Sequence, residues 1–225
     1  MNWKFHDVQF EMDNAPEIPS VFTESGAWSG HRRFAYDLVR YAKPRKVVEL
    51  GTFYGTSFFS FCQGVKDENL SSQCFAIDTW QGDPHIGDYD SIGEQIFQAV
   101  TAVNERYFPT IGTLIRCEFD KALHHFADGS IELLHIDGYH TYEAVRHDYT
   151  TWYSKLAPNG IVLFHDIAVH YGDFGVYRFW EELEGLPHFQ FLHNNGLGVL
   201  FPKGCHDHLR AVLDQKDTFI THYSS

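Results

Sequence analysis

The chain has 225 residues, of which 44% are hydrophobic, and this size and composition predict one elaborated α/β domain with a substantial core. Its 17 Lys and Arg residues against 30 Asp and Glu residues give a formal net charge of -13 at pH 7, which disfavours nucleic acid and anionic membranes as partners. No apolar run approaches the roughly 20 residues that span a bilayer, and no signal-peptide core is present. The four cysteines form no C-x-x-C pair. We therefore expect a soluble, cytoplasmic protein with reduced thiols.

Residues 1–27 are polar, and Pro16 and Pro19 would interrupt any helix there, so we predict an N-terminal arm or lid outside the core. Residues 28–225 are predicted to form a single domain. Apolar side chains at helical spacing over residues 28–41 predict an amphipathic helix that covers the edge of a sheet.

Apolar runs and helical patterns then alternate along the chain, which predicts a doubly wound, mostly parallel sheet. The predicted strands are 47–50, 73–78, 113–116, 131–137 and 161–164, and the predicted helices between them are 58–65, 92–108, 120–126 and 142–156. After a helix near residues 177–184, two apolar runs flank Asn194-Asn195-Gly196 and predict a hairpin. A short helix over 209–213 and a polar tail complete the predicted elements.

The first predicted strand leads into a glycine-rich turn, Glu49-Leu50-Gly51-Thr52-Phe53-Tyr54-Gly55. Gly51 and Gly55 would let the backbone approach a ligand closely, and Glu49 can accept hydrogen bonds. Asp78 ends the second strand, where doubly wound folds keep a carboxylate for ribose hydroxyls, although a helix or turn cap is the alternative. In the loop that follows, Trp80 and His85 are candidate ligand contacts.

Polar groups follow nearly every predicted strand, which indicates a site at the carboxyl edge of the sheet. Neighbouring parallel strands lie about 4.8 Å apart, so Asp137, His165 and Asp166 could reach one cation, provided that the strand ends at the His-Asp pair. His140 would then lie beside the cation as a general base. A packed core histidine at 165 and a helix-cap neighbour at 140 are the alternatives. The chain lacks the G-x-S-x-G and P-loop motifs, which argues against a serine hydrolase and a P-loop NTPase.

These motifs resemble those of the class I S-adenosylmethionine-dependent methyltransferases. Residues 49–55 resemble their first motif, Asp78 the acid that holds the ribose, and Pro158-Asn159-Gly160 the motif before the fifth strand. The resemblance covers about residues 28–201. It implies a Rossmann-like, doubly wound, seven-stranded sheet, mostly parallel with an antiparallel last strand.

Residues 135–143 and 163–167 more closely resemble a subgroup that contains macrocin-type sugar O-methyltransferases and relatives of cephalosporin hydroxylase. This resemblance implies a divalent metal on Asp137, His165 and Asp166, with His140 as the base. His165 stands where those enzymes have a carboxylate, so manganese, iron or zinc would suit the site better than magnesium, unless His165 only contacts the substrate.

The resemblance implies O-methylation of a small-molecule or sugar/glycan hydroxyl by S-adenosylmethionine, with metal assistance. The residues implied to bind the methyl donor are Glu49, Gly51, Thr52, Tyr54, Gly55, Ser57, Asp78, Thr79, Trp80, Glu118 and Asp137, and the implied catalytic residues are His140 and Asp137. A non-catalytic S-adenosylmethionine- or nucleotide-binding partner module is an alternative. An NAD-dependent oxidoreductase is less consistent, because the turn lacks G-x-G-x-x-G. Pairing of strand edges or exchange of the N-terminal arm would allow a homodimer.

Overall fold

A seven-stranded sheet forms the centre of the protein in this computed structural model, which describes residues 3–83, 87–88 and 92–224. The strands are β1 (Lys46–Leu50), β2 (Gln73–Asp78), β3 (Gly82–Asp83), β4 (Gly87–Asp88), β5 (Gly112–Arg116), β6 (Ile131–Ile136), β7 (Leu156–His165), β8 (His188–Phe191) and β9 (Leu197–Leu200). The sheet order is β5-β2-β1-β6-β7-β9-β8, and β3 pairs with β4 in a separate two-stranded sheet. Strand β9 is antiparallel to both of its neighbours. The predicted fold class is therefore confirmed.

Helices cover both faces of this sheet. They are α1 (Ser20–Glu24), α2 (Arg32–Ala42), α3 (Thr56–Asp67), α4 (Gly93–Tyr107), α5 (Phe119–Ala122), α6 (Tyr142–Trp152), α7 (Val176–Glu182), α8 (Asp207–Asp214) and α9 (Lys216–Tyr223). Short 3₁₀ turns occur at Glu11–Asn14, Ser29–His31, Leu123–His125 and Tyr153–Lys155. Within the described ranges, no helix is long and apolar enough to cross a membrane.

Two hydrophobic clusters, one on each face of the sheet, form the core. Successive residues of a strand point to opposite faces, so Val47 belongs to one cluster and Val48 to the other. The first cluster packs against α2, α3, α4, α8 and α9, and the second against α5, α6 and α7. Both faces of the parallel strands are therefore covered, as the nearly continuous apolar strand sequences require.

Both ends of the chain differ from the prediction. Phe10, Met12 and Ile18 are buried in the first cluster, so the N-terminal segment is part of the core. The predicted polar tail forms α9, whose Phe219 and Tyr223 are buried four residues apart on one helical face. These apolar residues are few and stand among polar neighbours, so the composition of the two segments did not indicate that they would be buried.

One internal boundary also differs. Strand β7 begins at Leu156, so residues 158–160 lie within its first half instead of forming a separate turn. Asn159 has a φ of 59°, and the pairing of β6 with β7 shifts register between Ile131 and Leu133. The motif predicted to precede the strand is therefore accommodated as an irregularity inside it.

Candidate active site

A cavity of about 940 Å³ opens at the carboxyl ends of β1, β2, β6 and β7. The predicted site residues that line it are Gly51, Thr52, Tyr54, Ser57, Asp78, Thr79, Glu118, Asp137, His140, His165 and Asp166. The predicted ligand contact His85 lies outside the described residues. The sheet topology thus brings together most of the side chains that sequence reasoning selected.

Three predicted donor-binding residues do not line the cavity. Glu49 is fully buried in β1, where its Oε2 lies 2.9 Å from Nδ1 of His135, and burial raises its pKa. Gly55 is the N-cap of α3, with a φ of +81°. Trp80 is buried behind the turn, and its indole N–H donates to the Phe53 carbonyl at 2.9 Å. These residues support the cavity wall and do not form its surface.

Asp78 organises the turn after β1. Its Oδ2 accepts hydrogen bonds from the backbone N–H groups of Thr52 at 2.8 Å and Phe53 at 2.9 Å, and its Oδ1 accepts from that of Trp80 at 2.7 Å. A carboxylate has about four acceptor positions, so Asp78 can bind a further donor from the cavity.

Gly51 is required by the protein's own backbone. Its φ is +88°, and a Cβ at this position would lie 1.9 Å from the Asp137 carbonyl oxygen. The Asp137 N–H donates to the Leu50 carbonyl at 2.8 Å, which holds the two chain segments together. The close approach that a glycine permits here is therefore between the first turn and Asp137.

Asp137, His140, His165 and Asp166 converge beside this turn. Strand β7 ends at His165, which meets the condition under which adjacent residues can face one site. Asp166 has a φ of +62°, and its Oδ2 lies 3.2 Å from Nδ1 of His165. The amide of Asn195, in the turn between β8 and β9, donates to Asp166 Oδ1 at 2.8 Å and fixes the carboxylate.

His140 and His165 lie on either side of the two carboxylates. Nε2 of His140 is 3.0 Å from Asp166 Oδ2 and 3.8 Å from Asp137 Oδ1. Nδ1 of His165 is 3.3 Å from Asp137 Oδ1. Phe174 stacks on the His140 ring with centroids 4.9 Å apart and an interplanar angle of 13°. The His140 ring is therefore held in orientation from two directions.

The four groups shift one another's pKa values. Burial alone would lower the pKa of His140, but hydrogen bonds with Asp137 and Asp166 raise it to about 10. Burial likewise opposes the charged form of His165, and the same carboxylates raise its pKa well above the usual value. In return, the histidines hold the pKa values of both carboxylates below their usual range despite burial. The positive charges of two imidazolium groups thus balance the negative charges of two carboxylates.

The compact group of potential metal ligands differs from the predicted one. One ligand atom each from Asp137, His140 and Asp166 lies within 4.8 Å of the other two. His165 is not one of these three residues, although its Nδ1 lies 3.3 Å from Asp137 Oδ1 and 3.2 Å from Asp166 Oδ2; its Nε2 donates to the Asn194 carbonyl at 3.2 Å. The group that the geometry forms thus contains His140, the predicted base, and the predicted metal set of Asp137, His165 and Asp166 stays a prediction.

The N-terminal segment forms one wall of the cavity, through Val21, Phe22, Gly26 and Ala27. The Phe22 ring stacks on Tyr54 with centroids 4.4 Å apart. The role of the N-terminal segment as a lid stays a prediction.

Sequence reasoning missed Asp148, which also lines the cavity. It lies on α6 among the buried residues Val145, Tyr149 and Trp152. An acid within the apolar stripe of an amphipathic helix was the signal that could have identified it.

The sheet order and the position of the cavity define a methyltransferase-type doubly wound fold. Residues 48–167, more than half of the chain, match a family model described as a methyltransferase domain. The chain therefore belongs to the methyltransferase domain family.

A curated relative, the uncharacterised protein y4gI of Sinorhizobium fredii, is 45% identical over 184 residues. The match covers 81% of this chain but only 20% of the relative, so the chain spans about a fifth of that protein's length.

Solved structures with the same fold include a methyltransferase from Geobacter sulfurreducens, with 16% identity, a TM-score of 0.56 and coverage of 77% of this chain and 78% of that one. The O-methyltransferase TomG from Streptomyces achromogenes, in complex with SAM, has 15% identity, a TM-score of 0.56 and coverages of 79% and 88%. An O-methyltransferase from Bacillus cereus, in complex with SAH, has 12% identity, a TM-score of 0.53 and coverages of 75% and 78%. At these identities the likeness concerns the fold alone.

Proposed function

We propose that this protein is an S-adenosylmethionine-dependent O-methyltransferase that acts on a hydroxyl of a small molecule or sugar with the assistance of a divalent cation. The observation that carries the proposal is the convergence of Asp137, His140 and Asp166 in the wall of the cavity that also contains the Gly51 turn. Methyl transfer to oxygen needs a group that removes the hydroxyl proton, and His140 is suited to this role.

We assign the methyl donor to the part of the cavity lined by Gly51, Thr52, Tyr54, Ser57 and Asp78. Asp78 already positions the turn and has acceptor capacity left for ribose hydroxyls. The related folds of TomG, in complex with SAM, and of the Bacillus cereus enzyme, in complex with SAH, support this assignment.

The donor atoms suit a divalent cation. Asp137 and Asp166 supply carboxylate oxygens that lie within 4.8 Å of each other and of an imidazole nitrogen of His140. Asp137 and Asp166 would hold the cation. When bound, it would lower the pKa of the acceptor hydroxyl and of His140.

His140 acts from its neutral form in this proposal. With a pKa of about 10 it is protonated at neutral pH as long as the two carboxylates face only histidines. Compensation of their charge leaves Nε2 unprotonated, so that it can take the acceptor proton while Phe174 keeps the ring in plane. This dependence of the base on a second positive charge favours metal assistance over a metal-free mechanism.

The walls of the cavity favour an acceptor without anionic groups. Among the described lining residues none is Lys or Arg, whereas Glu118, Asp120 and Glu143 add negative charge. Tyr139 and Tyr171 are 50% and 71% exposed at the cavity and offer aromatic faces to an apolar ring surface. These features suit a sugar or another neutral polyhydroxyl compound, in agreement with the proposed macrocin-type subgroup.

Calorimetry with S-adenosylhomocysteine tests the donor assignment, and the absence of binding would refute it. Turnover is measured as formation of S-adenosylhomocysteine with a panel of neutral sugars, with and without Mg²⁺ or Mn²⁺. Donor binding with no turnover on any acceptor would favour the non-catalytic partner module.

Two variants separate the roles of the cluster once an acceptor is found. The variant His140→Ala should lower kcat by about 10²-fold or more while it retains donor binding. The variant Asp137→Asn should abolish the metal dependence. The exposed His125, which lies outside the cavity lining, provides the control His125→Ala, which should leave both quantities unchanged.

A further inference from the structure

The turn between β8 and β9 borders the cluster of carboxylates and histidines. It contains Asn194, Asn195 and Gly196, whose φ values are 47°, 68° and 88°. Asn and Gly are the residues that tolerate this left-handed region, so the turn is tight and well defined. Asn195 lines the cavity. A residue of the last hairpin therefore reaches a site that is otherwise built from the ends of parallel strands.

One side of the turn packs against the segment that follows β7. The Ala168 N–H donates to the Asn195 carbonyl at 2.8 Å. A Cβ at Gly196 would lie 2.8 Å from both the Ala168 Cβ and the Ile167 Cγ1, so this close approach needs a glycine. Because Ile167 directly follows Asp166, the backbone of the turn is held close to that of Asp166.

The other side of the turn is held by the N-terminal segment. The Asn194 side-chain amide donates to the carbonyl of Gly26, a residue of the cavity wall, at 3.3 Å. Nε2 of His31 lies 3.2 Å from the Asn194 carbonyl oxygen, and Nε2 of His165 lies at the same distance from it. A turn that is fixed from two sides can hold a neighbouring side chain in one orientation.

The side chain that the turn holds is Asp166. Its Oδ1 accepts a hydrogen bond from the Asn195 amide at 2.8 Å, and since a carboxylate only accepts hydrogen bonds, the amide nitrogen must face it. Its Oδ2 lies 3.0 Å from Nε2 of His140 and 3.2 Å from Nδ1 of His165. One carboxylate oxygen is thus occupied by the turn, and the other is directed at the histidines.

We infer that Asn195 is a positioning residue, which occupies Oδ1 of Asp166 and so directs Oδ2 toward His140 and the proposed cation site. The importance of this orientation for the reaction rests on the proposed function, whereas the orientation itself can be tested without it. The inference adds a residue of the β8–β9 turn to a site whose predicted members all lie before residue 167.

The variant Asn195→Gly removes the amide, and glycine adopts the left-handed backbone readily. In a crystal structure of this variant, the Asp166 carboxylate should be rotated relative to the wild-type protein, with Oδ2 no longer within hydrogen-bond distance of His140. Mn²⁺ binding in the presence of S-adenosylhomocysteine, measured by the electron paramagnetic resonance signal of free Mn²⁺, should weaken by about 10- to 100-fold. The affinity for S-adenosylhomocysteine, measured by calorimetry, should stay unchanged.

Two further variants guard this test against a merely structural effect. Asn69 also has a positive φ, 52°, but it is exposed and lies outside the described cavity lining, so Asn69→Gly should leave all three readouts unchanged. The variant Asn195→Asp keeps the shape of the side chain and replaces the amide donor by a carboxylate oxygen. It should also rotate the Asp166 carboxylate, and it provides the structural readout if Asn195→Gly does not fold.

The outcomes separate this inference from the proposed function. If the Asp166 carboxylate keeps its orientation in either Asn195 variant, or if Asn195→Gly binds Mn²⁺ as tightly as the wild-type protein, only the inference about Asn195 is refuted. If the wild-type protein binds no S-adenosylhomocysteine, the donor assignment fails, and if it binds no Mn²⁺, the proposed metal assistance fails. In both of these cases the orientation of Asp166 in the variants decides the inference by itself.

Discussion

A single methyl group at Gly51 should destabilise the fold and displace Asp137. At a φ of +88° an L-residue carries about 1–2 kcal/mol of strain. The new Cβ would also lie 1.9 Å from the Asp137 carbonyl oxygen, and no rotamer change relieves a clash with a backbone atom. The backbone must therefore move, at a cost of about 1–3 kcal/mol for overpacking and roughly 1 kcal/mol for the weakened hydrogen bond from Asp137 to Leu50. The variant Gly51→Ala should thus lose about 3–6 kcal/mol.

Thermal unfolding followed by circular dichroism measures this loss. In a domain of this size, 1 kcal/mol corresponds to about 2–4 °C in Tm, so the decrease should be at least ~6 °C. Gly129 provides a matched control, because its φ is +68° and no atom lies within 4 Å of a Cβ placed there. The variant Gly129→Ala should show the backbone strain without the clash, a loss of about 1–2 kcal/mol. Equal melting temperatures for the two variants would refute the reasoning from the clash with Asp137.

Three further predictions concern the walls of the cavity. The folded-state pKa of Asp148, about 7, lies above the ordinary 3.8, so its ionised carboxylate lowers the stability increasingly as the pH rises from about 4 to 7. The variant Asp148→Asn should therefore raise the free energy of unfolding by up to ~4 kcal/mol at pH 8 and leave it unchanged near pH 4. Denaturant titrations at both pH values measure this difference. Asp78→Asn should cost about 2–4 kcal/mol in urea unfolding, because an amide cannot accept all three backbone N–H groups. Phe22→Ala removes the ring stacked on Tyr54 and should weaken S-adenosylhomocysteine binding about 2- to 13-fold in calorimetry, with little change in Tm.

The sheet could be predicted because its signals are local. The run Ile161-Val162-Leu163-Phe164 is buried on both faces and indicates a central strand without reference to any other part of the chain. The turn after Leu192 needs residues that tolerate positive φ, and Asn194, Asn195 and Gly196 all have it. Apolar periodicity and turn chemistry are properties of short windows, so a single sequence reveals them.

The packing of the two chain ends could not be predicted in this way. Trp3 lies against Phe219, with ring centroids 4.8 Å apart, and its indole N–H donates to the Tyr223 hydroxyl at 2.9 Å. These partners are more than 200 residues apart in sequence. Each segment looks polar by itself, and only the tertiary contact makes their few aromatic residues a buried cluster.

The candidate site was predictable in position but not in atomic detail. A parallel sheet brings the carboxyl ends of its strands to one edge, so Asp137 and Asp166 had to lie near each other. Which atoms meet depends on features that no pattern encodes. The left-handed backbone of Asp166 and the Asn194 carbonyl, which accepts from His165 Nε2, are two such features of the cluster in which His140 and His165 both face the carboxylates.

Asp137 contacts two parts of the cavity wall, the turn that contains Gly51 and the cluster with His140 and Asp166. Its backbone carbonyl is packed against Gly51 in the donor turn, and its carboxylate belongs to the cluster with His140 and Asp166. The proposed O-methyl transfer would require the acceptor oxygen and the methyl carbon to approach along one line, at separations where an error of about 1 Å costs roughly 10² in rate. A residue that is fixed to one half by its backbone and to the other by its side chain transmits any displacement of the turn directly to the cluster. Under the proposed function, the glycine at position 51 would therefore contribute to the alignment of the reacting groups by allowing this contact, even though it provides no side chain to either part of the cavity.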